Sequence, residues 1–344
     1  MRPDFDNFLN VFKHIPQKEP AVFEFFLNEK LYNFLAKERI LETHSPIEKL
    51  KIVVKACQNA GYDYATVPAS YTNTFAFAKG EVETIESKSL NAGYVITNHQ
   101  EFKDYRWPDP DTGDYTFFDD LKEFLAPGMK LIACGPGGVL ENVMELVGFE
   151  NLCVLALEDP ELTKNIFNEV GSRLVRYYEI CSKFDSVGAL ISNDDWGYKT
   201  QTMLPPDMMR DYVFPWHKKI VETIHKSGKP AILHSCGNLE EVMEDVIEDM
   251  KYDGKHSFED EIIPVEEAYE KWGDRIAILG GIDMDFLVRS TKDEIFDRST
   301  KLLKLSRDRG GYALGSGNSI AHYVPYENYF AMLSAAGIKI DKTS

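Results

Sequence analysis

Ala231-Ile232-Leu233-His234-Ser235-Cys236-Gly237 is an unbroken apolar run that stops at a histidine and a cysteine. Such a run, bounded by Gly228-Lys229-Pro230 before it and Gly237 after it, has the length and composition of a strand buried on both faces, as parallel strands are. Upstream, Pro206 to Ser227 carries the period of an amphipathic helix. Working outward, the same alternation recurs. Strands are expected at Ala21 to Phe26, Tyr64 to Val67, Lys130 to Cys134, Val187 to Ile191, Ala231 to His234, Tyr252 to Ser257, Ile276 to Leu279 and Gly311 to Leu314. Helical patterns lie between most of them, for example Thr291 to Arg309. Eight strands alternating with helices predict an α/β chain folded as a (β/α)8 TIM barrel, with a doubly wound open sheet as the rival.

The 344 residues fit one such domain, 1–344. The pattern breaks between Ala69 and Gly113. There, Phe75, Phe77, Val82 and Ile85 flank Lys79-Gly80-Glu81 in the manner of a β-hairpin, and Trp107-Pro108-Asp109-Pro110 marks a rigid loop. This region of about 69–113 is expected to be an insertion over the barrel mouth.

A net charge of −18 repels nucleic acid and anionic membranes alike. No stretch has the roughly 20 apolar residues of a membrane span, and Met1 to Asp6 lacks the apolar core of a signal peptide, so a cytoplasmic location is expected. Five scattered cysteines do not suggest a disulfide framework. Cys57, Cys153 and Cys181 lie in helix-like patterns and read as buried small hydrophobes. Cys134 and Cys236 differ, because both fall at strand ends.

Barrel chemistry sits at the carboxyl ends of strands. Those ends hold Glu24, Cys134, Asp194 with Asp195, His234 with Cys236, His256 with Glu259, Asp283, and Asn318 with His322. His234 and Cys236 are two apart, so an extended strand presents nitrogen and sulfur on one side, a pair suited to zinc; the bland alternative is a packed histidine beside a buried thiol. Asp194 and Asp195 could orient substrate, hold a proton or ligate a metal. A capping role fits Asp207 better than either of them. His256 and Glu259 could move a proton. Glu24, Asp283, Asn318 and His322 are expected to contact substrate. His217 and His225, inside the helical stretch, read as surface residues, and the glycine strings at 135–138 and 315–317 read as turns.

At these residues the chain resembles the uroporphyrinogen decarboxylase superfamily, which includes corrinoid-dependent methyltransferases. The resemblance is carried by Pro20-Ala21-Val22-Phe23-Glu24, Gly61-Tyr62-Asp63, Gly148-Phe149-Glu150, Asp194-Asp195-Trp196-Gly197, His234-Ser235-Cys236-Gly237-Asn238, Gly280-Gly281-Ile282-Asp283 and Val324-Pro325-Tyr326-Glu327-Asn328. It implies the barrel and a cleft at its carboxyl face. True decarboxylases carry an arginine-rich segment where this chain has Glu24-Phe25-Phe26-Leu27-Asn28, and an acidic aromatic segment does not grip a polycarboxylate.

The methyltransferase branch is similar in its His-x-Cys zinc pair, matched by His234 and Cys236. Its distant third cysteine is replaced by Asn318. The resemblance therefore implies a methyltransferase moving a methyl group from a small methoxylated (O-methyl) compound to the cobalt of a corrinoid protein. Cobalamin is expected in trans, because these residues contain no Asp-x-His-x-x-Gly string. The alternatives are a methylcobalamin:thiol methyltransferase, a cobalt-independent lyase and a noncatalytic ligand-binding barrel.

Overall fold

The computed structural model describes residues 2–17, 19–72, 74–78, 80 and 94–341. Its centre is a curled sheet of seven strands in sequence order: β1 Tyr64–Val67, β2 Lys130–Cys134, β3 Val187–Asn193, β4 Ala231–His234, β5 Gly254–His256, β6 Ala277–Leu279 and β7 Tyr312–Ala313. Every neighbouring pair is parallel. Each crossover passes through helix, so the strands are covered on their outer face and their side chains are buried on both sides. The seven strands lie within, or one or two residues of, the expected runs.

The segment expected as the first strand behaves differently. Val22 bridges Leu314 and Leu27 bridges Ile320, so it runs parallel to β7 with only isolated pairings. On its other side the Tyr64 hydroxyl takes both main-chain groups of Glu24, accepting from its N–H at 2.8 Å and donating to its carbonyl at 3.0 Å. A phenol thus stands where a β1 backbone partner would. Among the described residues no ladder joins this segment to β1, and the sheet is a seven-stranded curl rather than a ring closed by backbone hydrogen bonds.

The expected hairpin turn falls on residues 79 and 81–93, outside the described residues. Around it, Phe75 packs on Tyr177 and Phe77 on Trp107. Arg173 donates to the Pro108 carbonyl at 2.7 Å and covers the Trp107 ring at 5.2 Å, which ties the Trp107–Pro110 loop to the helix Pro160–Ser182. Cys57 and Cys181 are buried as small hydrophobes, whereas Cys153 is half-buried on the outer helix Phe149–Glu158, whose residues Val154 and Leu157 face solvent. No helix among the described residues is long and apolar enough to cross a membrane.

Candidate metal centre at the strand ends

Parallel pairing sets Asn193 of β3 beside His234 of β4, and His234 beside His256 of β5. The pairing continues past the strands: Asp194 N–H donates to the His234 carbonyl at 2.9 Å, Gly197 N–H to the Cys236 carbonyl at 3.2 Å, and Asn238 N–H to the Tyr198 carbonyl at 2.7 Å. The two loops can lie this close because Gly237 has φ +85°, and a Cβ there would sit 2.1 Å from the Gly197 carbonyl oxygen. Asp195 is thereby fixed against Cys236, whose N–H donates to its Oδ1 at 2.9 Å. One ligand atom each from Asp195, His234 and Cys236 lies within 4.8 Å of the others. Cys236 Sγ and His234 Nε2 are 3.9 Å apart.

A chain of hydrogen bonds decides which His234 nitrogen is free. His256 Nε2 lies 3.1 Å from the Ser316 carbonyl oxygen, which only accepts, so that nitrogen carries the proton. Burial lowers His256 to about 3 and holds His234 well below the usual histidine range, so both rings are neutral. His256 Nδ1 is then bare, and His234 Nδ1–H donates to it across 2.8 Å. The remaining lone pair, on His234 Nε2, is directed toward Cys236. This is how a metal-ligating histidine is oriented by the group behind it. Phe25 stacks on the His234 ring at 4.0 Å and completes its enclosure.

The donor set fits a metal. Burial, and then Asp195, push the Cys236 thiol up to about 12, so it becomes a thiolate only where a cation offsets the charge, as zinc does. Nitrogen, sulfur and oxygen from three side chains are donor types that zinc accepts.

The profile of the family described as Uroporphyrinogen decarboxylase (URO-D) matches residues 35–337. The chain belongs to the uroporphyrinogen decarboxylase family. Among solved structures, a methyltransferase from Methanosarcina mazei is similar with a TM-score of 0.72 at 16% identity, covering 96% of this chain and 97% of that one. A putative vitamin-B12 independent methionine synthase from Listeria monocytogenes is similar with a TM-score of 0.52 at 12% identity, covering 93% and 98%. No curated protein sequence matches the chain significantly.

In this family member the expected site residues separate into groups. His234, Cys236 and Asp195 converge, and Asn318 joins them, its Nδ2 donating to Cys236 Sγ at 3.3 Å. His256 stands directly behind His234. Glu24 is one step further back: Ser316 N–H and Oγ–H donate to its two oxygens at 2.8 and 2.6 Å, and burial raises it to about 8. Asp194 points the other way. Wholly buried, it accepts from the N–H groups of Leu140 and Glu141, in the first turn of the helix Val139–Val147, and lies 2.8 Å from His217 Nε2. It therefore caps a helix distant in sequence.

Asp283 accepts from Phe286 N–H and Asp260 N–H, capping the helix Met284–Arg289 and tying down the loop after β5. Glu259 is half-buried on the wall of an open cleft of about 1170 Å³ that also reaches Asp283 and Asn318. His322 is exposed beyond that cleft.

Three residues differ from, or go beyond, the sequence reading. His217, expected at the surface, is fully buried between Asp194, Ser192 and Tyr252. Its signal was present: Phe214, His217, Val221 and Ile224 form one helical stripe, and the other three are apolar. Lys255 lies inside β5, where nothing in the sequence pattern distinguishes it. It is buried, donates to the Ser257 carbonyl at 2.5 Å, covers Phe258 at 4.1 Å, and is brought down to about 8 by burial. Glu141 lies beside Asp194 and Asp195, and burial together with those carboxylates pushes it up to about 7. No strand pattern marks a group on a neighbouring helix.

Proposed function

We propose that this chain is a methyltransferase that passes a methyl group from a small O-methyl compound to the cobalt of a partner corrinoid protein. The observation that carries the reading is the convergence of Asp195, His234 and Cys236 at the carboxyl ends of β3 and β4. Family membership and the full-length likeness to a methyltransferase support it. We also infer that the chain completes a (β/α)8 barrel, with 21–27 as the first strand sealed to β1 by the Tyr64 phenol.

His234 Nε2, Cys236 Sγ and one Asp195 oxygen would hold zinc. The metal, when bound, supplies a Lewis acid for the oxygen that loses its methyl group. Replacing a cysteine of the related pattern with Asn318 and recruiting Asp195 gives a harder donor set than one nitrogen and two sulfurs. That set favours stabilising an oxygen leaving group over activating a thiol. His256 positions His234, since both its ring nitrogens are engaged. Glu259, on the wall of the open cleft that also reaches Asn318, is the group we assign to handling the proton at the departing oxygen.

Methoxylated compounds are the substrates to screen, with a reduced corrinoid protein supplied separately and methyl-cobalt formation followed by its absorbance. Transfer that requires both proteins and falls roughly 10²-fold or more in Cys236→Ser supports the reading. Steady turnover with cobalamin excluded would replace it with a lyase.

A further inference from the structure

A second cleft, of about 400 Å³, opens at the carboxyl ends of β1, β2 and β3, separated from His234 by the Phe25 ring. Its size is in the range of small-molecule sites. Phe25, Phe26, Tyr32 and Tyr71 supply aromatic wall, and the 134–137 turn faces them. Among the described residues that line it, Glu29 is the one carboxylate, and there is no lysine, arginine or histidine.

We propose that this cleft binds the methylated-ammonium end of a small cationic ligand. Aromatic faces attract a diffuse cation, most strongly where water is excluded, and a nearby carboxylate adds to that attraction. Glu29 has no ion-pair partner among the described residues, so its charge is available to a ligand. The feature that could have favoured an anion is already used. The N-terminus of the helix Val139–Val147 borders the cleft through Gly135-Pro136-Gly137, but its Leu140 and Glu141 N–H groups go to Asp194 and the Gly138 N–H goes to the Glu141 carboxylate.

Lys49 Nζ lies 5.8 Å from the Tyr71 ring centroid, outside the lining. Ser70 and Asn193 offer neutral polar contacts that suit a hydroxyl or ether elsewhere on the ligand. The head group does not depend on which atom carries a transferred methyl, so this site is independent of the methyl-transfer reading.

Three probes of one shape and different charge test it by calorimetric titration of the full chain, with no corrinoid protein present: choline, the uncharged 3,3-dimethylbutan-1-ol and the anionic 3,3-dimethylbutanoate. Choline is expected to bind about tenfold more tightly than the alcohol, and the anion not to bind. Glu29→Gln, at an exposed position of a helix first turn, is expected to remove most of the preference for choline while leaving the alcohol unchanged. Phe26→Leu is expected to weaken choline. Equal binding of the three probes, preference for the anion, no binding of choline, or a choline preference that survives both substitutions would overturn the proposal. None of those results bears on methyl transfer, which is read by cobalt absorbance.

Discussion

Asp194 and Asp195 are adjacent and chemically identical, yet they leave the end of β3 in opposite directions. Asp195 meets Cys236 and His234; Asp194 enters the protein and binds two helix N–H groups and His217. Asp195→Asn is expected to lower metal occupancy and to cut turnover roughly 10²-fold with little change in thermal midpoint. Asp194→Asn is expected to cost about 2–4 kcal/mol of stability while the folded fraction retains metal, because it removes the charge from a buried, fully engaged carboxylate. Denaturant unfolding beside metal analysis separates the two, and a metal loss shared equally by both variants would contradict the division of roles. His234 and Cys236 were legible in sequence because strand alternation puts residues two apart on one side. The same rule tells that Asp194 and Asp195 diverge, but only the neighbouring elements decide which one meets the site.

At the scale of elements, seven strands were readable because each is a short apolar run closed by glycine, proline or polar residues. The 21–27 segment was legible as extended chain, but not as one whose inner pairing is made by a tyrosine side chain on β1. The burial of His217 was legible in its helical stripe, whereas its partner Asp194 and the role of Glu141 were not, because they arise where a helix meets a strand end, a contact with no sequence spacing of its own. The crossing of the loops after β3 and β4 is the element on which the site depends. Gly237→Ala forces a side chain onto positive φ and into the Gly197 carbonyl. The expected loss is about 1–3 kcal/mol together with weakened metal binding. A variant with native stability and full metal content would show that the crossing does not position Asp195.

Across the whole molecule, the carboxyl ends of the strands gather acidic and neutral buried groups into a chain running from Glu24 through Ser316 and His256 to His234. Glu24 has a folded pKa of about 8 against an ordinary 4.5. A group raised in this way contributes its full stability below about pH 4.5 and loses it as pH rises toward 8. Glu24→Gln is therefore expected to flatten the decline in stability between those values, which unfolding at a series of pH values would check; parallel curves for the two proteins would refute it. The account as a whole rests on the three ligands at the strand ends. Zinc K-edge X-ray absorption of the purified protein tests them most directly. The prediction is about one zinc per chain with a single sulfur near 2.3 Å and nitrogen or oxygen neighbours near 2.0–2.2 Å, the sulfur being lost in Cys236→Ser. A protein that takes up no zinc, or zinc with a shell free of sulfur, would contradict it.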